Sequence, residues 1–471
     1  MALPMKDVVV VLPGITGSRL QKDGRDVWSM SAGGVGRALV TFGRSIKDLA
    51  MDGDDPDAEY LDDGVREAGL LGDIHLLPGL WRIDGYGKVC DTLLRQFELV
   101  EGANFFRFAY DWRRDNRAHA KRLARQSHEW LRTWRESSGG ADAKLVLIAH
   151  SMGGLVARHF LECHEGWRDT RSLITFGTPF SGSLNAVDSL VNGWRKSIGP
   201  VTLLDLAETL RTFPAVYQLL PVYQCIDLGD GTLHRLADIN PTLPGMNGEL
   251  VTDALRFRQE IDDAVASNRQ DDYEGTGGYD MRPVIGEFQA TNQSAVMEGR
   301  TARLLQDRAG ADEGGDGTVP RLSSVPKELF TSQSNVMYAA YRHATLQNAD
   351  PVLTHVHGLL RGAPPDPGGF FAGLARLGMG VDDVHDEGTP IPFQVRCDVE
   401  GTSVLATAVN LATGNEAARM TADGVGEDWT LAELPPLPAG DYRLNLGGGA
   451  EVIPVADVFT VLGPATIIPS E

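Results

Sequence analysis

Cysteine, basic residues and long apolar runs are all scarce in this chain, and each shortage excludes a class of protein. The 471 residues hold four cysteines, Cys90, Cys163, Cys225 and Cys397, too far apart to form a metal-type pair. The expectation is free thiols in a reducing cytoplasm, with no metal and no cofactor. Lys and Arg number 43 against 64 Asp and Glu, a formal net charge of -21 spread along the chain. That balance argues against nucleic acid and against tight docking to anionic membranes. The early apolar run "VVVVLPG" (8–14) is too short to span a bilayer and lacks a basic start and a small-residue cleavage site. It reads as a core strand, so no secretory signal is expected. No internal repeat or long low-complexity tract occurs.

What is present is an ordinary globular composition, 42% hydrophobic and 23% charged, long enough for a large domain and a smaller one. One stretch carries chemistry. In "KLVLIAHSMGGLVARHFLE" (144–162), five unalternating apolar residues read as a fully buried strand. From Leu155 the period becomes helical, with Leu155, Val156, His159 and Phe160 on one side and Arg158 and Glu162 available for the other. Ser151 falls at the corner between them. A serine hydroxyl needs a base to take its proton, and a sharp turn pushes it out of the core toward one. The first N–H of the helix, from Met152, then points at the developing oxyanion. The bare pattern also fits an ordinary strand-to-helix turn.

Similar alternation recurs. Strand-like runs at 8–12, 104–109, 144–149, 171–176 and 282–291 are separated by helical ones, predicting a mostly parallel sheet with helices on both faces. Residues 26–81 are rich in Gly and Asp and irregular in period, a lid-like insertion. Residues 184–281 read as a helical cap. The hydrolase-type pattern runs over residues 1–360, and "RGAPPDPGG" opens a linker over 361–389. From 390 to 471 short strands alternate between turns, as in "FQVRCDV", where Phe393, Val395, Cys397 and Val399 share a face. This predicts a small all-β sandwich of immunoglobulin-like kind.

In folds of this type an acid and then a base follow the serine. Asp316, in "GGDGTVP", lies in a glycine-flanked turn. His343, in "YRHATLQN", follows the strand-like "NVMYAAY". His355 and His357 are the competing histidines, and His385 falls in the linker. Asp316 would orient the imidazole of His343, which would take the Ser151 proton. A second oxyanion N–H is expected from "PGITG" (13–17), from Ile15 or Thr16.

Together "VVLPGITGSRL", "FRFAYDWRRD", "AHSMGGLVARHFL", "FGTPFSGS", "FPAVYQLLP", "GDGTVP" and "HATLQN" resemble the lecithin:cholesterol acyltransferase-like family of α/β-hydrolases, in the family's order. The resemblance implies an α/β-hydrolase fold and a serine-dependent lipase, phospholipase or acyltransferase working through an acyl-enzyme. It matches Ser151 to the nucleophile, Asp316 to the acid, His343 to the base, and Thr16 and Met152 to the oxyanion donors. Asp111 and Arg113 match its "YDWR" motif, where a structural ion pair is expected. The implied partner is a lipid or other acyl ester, with any lipid-surface contact peripheral. Unlike the family's secreted animal members, this chain shows neither a signal peptide nor a cysteine pair bracketing a lid. A different-class alternative is a catalytically inactive hydrolase fold serving as an interaction module, its β-sandwich recruiting a protein partner. Carbohydrate binding by that sandwich is a further alternative, resting on fold analogy.

Overall fold

The structure is a computed structural model that describes residues 2–29, 48–72, 75–76, 82–193, 195–198, 201–239, 242–271, 278–330, 335–362, 374–448 and 452–463. Parts of the expected lid (30–47, 73–74, 77–81), cap (194, 199–200, 240–241, 272–277) and linker (363–373) lie outside the described residues.

A six-stranded sheet forms the centre, built from β1 (Val8–Leu12), β2 (Phe105–Arg107), β3 (Leu145–His150), β4 (Thr170–Phe176), β5 (Asp280–Gly286) and β6 (Met337–Ala339). Its order is β6-β5-β4-β3-β1-β2 and every pairing is parallel. The unalternating apolar sequence of β1 and β3 follows from burial on both faces. Val8, Val10, Leu145 and Leu147 pack to one side against helices α2 (Asn116–Ser138) and α3 (Gly153–Cys163). Val9, Val11, Val146 and Ile148 pack to the other, against α1 (Gly87–Gln96) and α6 (Asp350–Leu360). This is an α/β-hydrolase fold.

Between β4 and β5 the chain forms α4 (Leu184–Val191) and the long α5 (Gly248–Asp271). The region is less helical than the sequence suggests. Short strands at Ile226–Asp227 and Leu233–His234 join Ser294–Glu298 and Thr301–Leu305 in a four-stranded sheet, and a hairpin pairs Arg195–Ile198 with Val201–Asp205. Two-residue strands are too short to show a period. Helix α3 departs from expectation too. Arg158 and Glu162 are buried rather than solvated, because α5 covers that side, and Arg158 pairs with Glu162, Glu328 and Tyr279.

The C-terminal region is a two-sheet sandwich with its own core. One sheet contains β7 (Ala375–Val381), β9 (Ile391–Cys397), β12 (Thr430–Leu434) and β14 (Val452–Ile453). The other contains β8 (Val384–Asp386), β10 (Thr402–Asn410), β11 (Glu416–Val425), β13 (Gly440–Gly447) and β15 (Val455–Leu462). Phe393, Val395 and Cys397 alternate inward as the period requires, but the strand ends at Cys397 and Val399 is exposed. The linker expected over 361–389 is overturned in its second half, since β7 and β8 belong to the sandwich. Gly378 and Gly380 hid β7 by breaking its pattern. A Cβ on Gly378 would stand 2.5 Å from the Phe288 carbonyl oxygen, so this face of β7 is bare for close approach to the hydrolase.

The two regions are tightly joined. The buried amide of Gln289 donates to the Leu377 carbonyl and accepts from the Met379 N–H, at 3.0 Å each, pairing with β7 as a strand would. Arg376 bridges Glu287 and Asp398, and Arg396 lies over the Phe288 ring while pairing with Asp312.

Candidate active site

Ser151 stands between the end of β3 and the start of α3, at a φ of 52° that a non-glycine residue adopts only under constraint. The constraint is backbone packing. A Cβ on Gly153 would meet the Pro13 carbonyl oxygen at 2.3 Å, so the helix can begin here only without one. The Ser151 N–H is tied to the Phe176 carbonyl of β4.

Two loops bring partners to this corner. Asp316, fully buried, sets one carboxylate oxygen 2.7 Å from Nδ1 of His343, while the other accepts the N–H groups of Thr318 and Val319. Nε2 of His343 is 2.9 Å from Oγ of Ser151. The His343 N–H also donates to the Asp316 carbonyl, binding the two loops to each other. Nδ1 faces a carboxylate and is therefore the protonated nitrogen of the neutral ring, which leaves Nε2 to accept the serine proton. Ser151, Asp316 and His343, the three residues expected from sequence order, are thus brought together. His355 lies elsewhere, on α6, where burial lowers its pKa to about 4.

Thr16 and Ile15 sit in the loop after β1. The Ile15 side chain is in the core, and Thr16 takes a φ of 63°. None of the hydrogen bonds among the described residues uses the N–H of Ile15, Thr16 or Met152, so this corner keeps donors free beside the serine. The "YDWRRD" motif holds the loop from behind. Tyr110 Oη donates to the Pro13 carbonyl at 2.8 Å, and Trp112 Nε1 to the Ser18 carbonyl at 3.2 Å. Arg113, fully buried, makes the expected pair with Asp111 in bidentate form and also binds Asp63 and the Leu49 carbonyl. Arg114 grips Asp54 and the carbonyls of Asp55, Ala58 and Glu59. These arginines fasten the 48–63 segment to the hydrolase.

Sequence reasoning missed the network beneath the serine. The Gly14 N–H donates to Tyr86 Oη at 2.7 Å, leaving that hydroxyl to donate to Nδ1 of His150 at 2.9 Å. His150 Nε2–H then reaches the His343 carbonyl at 3.1 Å. Burial, with a smaller push from His343, holds His150 well below the usual imidazole value, so it stays neutral and keeps this tautomer. Gly177 was missed as well. At a φ of 53°, it faces Asp316 and His343, and a Cβ there would stand 2.6 Å from Asp316 Oδ2. The signal that could have found it was its place in "FGTP", directly after a core strand.

Residues 82–244 match the lecithin:cholesterol acyltransferase family. The matched segment contains the Ser151 corner and the "YDWR" motif, so the resemblance read from the motifs to the lecithin:cholesterol acyltransferase-like family is borne out. Over 130 residues the chain is 31% identical to lecithin-cholesterol acyltransferase-like 4 of Arabidopsis thaliana, covering 26% of this chain and 23% of that protein. Over 128 residues it is 30% identical to phospholipase A(1) LCAT3 of the same organism, covering 26% of this chain and 28% of that protein. The chain thus spans about a quarter of the length of these curated relatives. Among solved structures it overlaps a Tle4–Tli4 complex, with 16% identity, a TM-score of 0.44 and coverage of 76% of this chain and 98% of that one. It also overlaps the Bacillus licheniformis lipase BlEst2 in propeptide form, with 11% identity, a TM-score of 0.37 and coverage of 96% and 93%.

Proposed function

We propose that the protein is a serine-dependent acyl hydrolase or acyltransferase of lipid esters, of the lipase or phospholipase kind, working through a Ser151–His343–Asp316 triad. The observation that carries this is the unbroken chain from Ser151 Oγ through both nitrogens of His343 to a buried Asp316 carboxylate. Similarity to phospholipase A(1) LCAT3 supports the substrate class. Ser151 Oγ attacks the ester carbonyl as its proton passes to His343 Nε2, and Asp316 stabilises the imidazolium. The tetrahedral oxyanion takes the N–H groups of Met152 and of Thr16 or Ile15. Collapse breaks the bond to the alkoxy group, which leaves as the alcohol with the His343 proton, and Ser151 keeps the acyl chain. Water, or a second alcohol, then gives its proton to His343 and takes the acyl group, and Ser151 regains its proton. Cytoplasmic residence, suggested by four free thiols, belongs to the same reading.

The test is a fluorophosphonate probe together with turnover of a short-chain acyl ester. Wild type should label and turn over, and Ser151→Ala should do neither, with a rate loss of roughly 10³-fold or more. A wild-type protein inert to both probe and ester would leave the inactive interaction module as the reading.

A further inference from the structure

The residues on either side of His343 are each held, directly or through one partner, by the C-terminal sandwich. Arg342 precedes it. Nε of Arg342 is 2.7 Å from Asp457 of β15, and Nη1 donates to the Met379 carbonyl of β7 at 2.7 Å. The Asp457 side chain is 1% exposed and that of Arg342 12%, so this ion pair is shielded from water. The same guanidinium lies against the acid loop, since a Cβ on Gly317, next to Asp316, would stand 3.0 Å from its Cζ. Ala344 follows His343. Its carbonyl accepts the N–H of Asp84, and the Asp84 carboxylate is held by Arg443 of β13 at 2.6 Å.

The two crossings are opposite in polarity. The hydrolase supplies Arg342 and Asp84, and the sandwich answers with Asp457 and Arg443. Those two sandwich residues sit on neighbouring strands, where Arg443 pairs with Val458 and Leu444 with Asp457. Two adjacent inner strands of one sheet therefore present an anion and a cation, from opposite faces, to the two flanks of a single loop. The 341–345 loop has no regular structure of its own to hold a ring within the tolerance that proton transfer requires. Each ion pair ties one flank of the loop to the sandwich, and a shift of the loop would leave a shielded charge without its partner.

We infer that the C-terminal β-sandwich is a positioning part of the catalytic machinery, with Asp457 and Arg443 setting the His343 loop through Arg342 and Asp84. This rests on the serine-hydrolase reading above. Neither Asp457 nor Arg443 touches substrate, so both act as positioning residues.

The test uses the full chain and a short acyl ester that makes few contacts away from the carbonyl. Asp457→Ala and Arg443→Ala should each lower kcat about 10- to 100-fold and leave KM unchanged, the loss expected for a misplaced base. Asp457→Glu should recover most of the rate. Arg396→Ala, which removes a docking contact to Phe288 and Asp312 that does not lead to His343, should keep the wild-type kcat. If Asp457→Ala is insoluble, the half-exposed Arg443 site carries the measurement. Wild-type kcat in both variants, or an equal loss in Arg396→Ala, would overturn the inference. A wild-type protein that neither labels nor turns over ester would instead overturn the reading beneath it.

Discussion

The Ser151 corner and the Asp316–His343 corner meet through the Ser151–His343 and His150–His343 hydrogen bonds, yet they are built by different means. Ser151 is placed by its own neighbourhood. A buried strand and a helix, both within a dozen residues of it, set its strained φ and aim its oxygen, with Gly153 packed on the Pro13 carbonyl. Asp316 and His343 ride on irregular loops whose supports come from other segments, the Gln289 N–H on the Gly315 carbonyl, Asp84, and the sandwich. A nucleophile can be fixed by local sterics because its position is a backbone property. An imidazole must be fixed in tilt and distance, and that demands several anchors from different directions.

Gly177→Ala attacks the point where the two corners touch. The new Cβ would occupy the space of Asp316 Oδ2 and His343 Nδ1, and alanine at a φ of 53° costs about 1 kcal/mol besides. Ester turnover should fall roughly 100-fold or more, with a much smaller drop in thermal midpoint. Near-normal turnover would show that Asp316 and His343 tolerate displacement and need no tighter placement than Ser151.

Tyr86→Phe tests the thread that runs from the 13–17 loop to His343. Removing the hydroxyl strands the Gly14 N–H and His150 Nδ1 in a buried site. Denaturant melts should show a loss of about 1–3 kcal/mol. The kcat/KM should drop by roughly tenfold as the oxyanion loop loosens. A stability loss without any kinetic change would place Tyr86 wholly on the structural side.

The smallest expected effect separates the stability of the sandwich from its positioning role. Burial raises the Asp441 carboxyl from 3.8 to about 6, against the opposing hydrogen bond from the Thr460 hydroxyl. The folded chain therefore holds a proton that the unfolded chain releases, and stability falls as pH rises from 3.8 to about 6. Asp441→Asn should stabilise by about 1–2 kcal/mol at pH 7.5 and by little at pH 4, read by denaturant unfolding. Its kcat should not change, although Asp441 lies two residues from Arg443 on β13. A change in kcat would mean that strain in β13 reaches the base.

These differences explain what could be read from the sequence. The Ser151 corner was legible because its cause is local, a change of period from buried strand to helix around small residues. The parallel sheet was legible for the same reason, and β9 announced itself through the alternation of Phe393, Val395 and Cys397. The cap strand Ile226–Asp227 pairs with Ala295 and Val296, 69 residues on, and carries no period of its own. Strand β7 escaped because Gly378, bare where it meets the hydrolase, and Gly380 resemble loop residues. Arg158 and Glu162 looked like a solvated face because nothing local shows that α5 will cover them. Asp457 and Arg443 look like ordinary surface charges until the fold sets them beside Arg342 and Asp84.

The crossings at Arg342 and Asp84 also bear on the order in which the molecule comes into being. A chain is made from its N-terminus, and at about 5–20 residues per second the ribosome adds Asp457 several seconds after His343. During that interval Ser151, Asp316 and His343 have all been synthesised, but the two strands that we infer to steady the imidazole have not. Over those seconds Ser151, Asp316 and His343 would stand without the sandwich's ion pairs, and completion of the strand that carries Asp457 would bring them in.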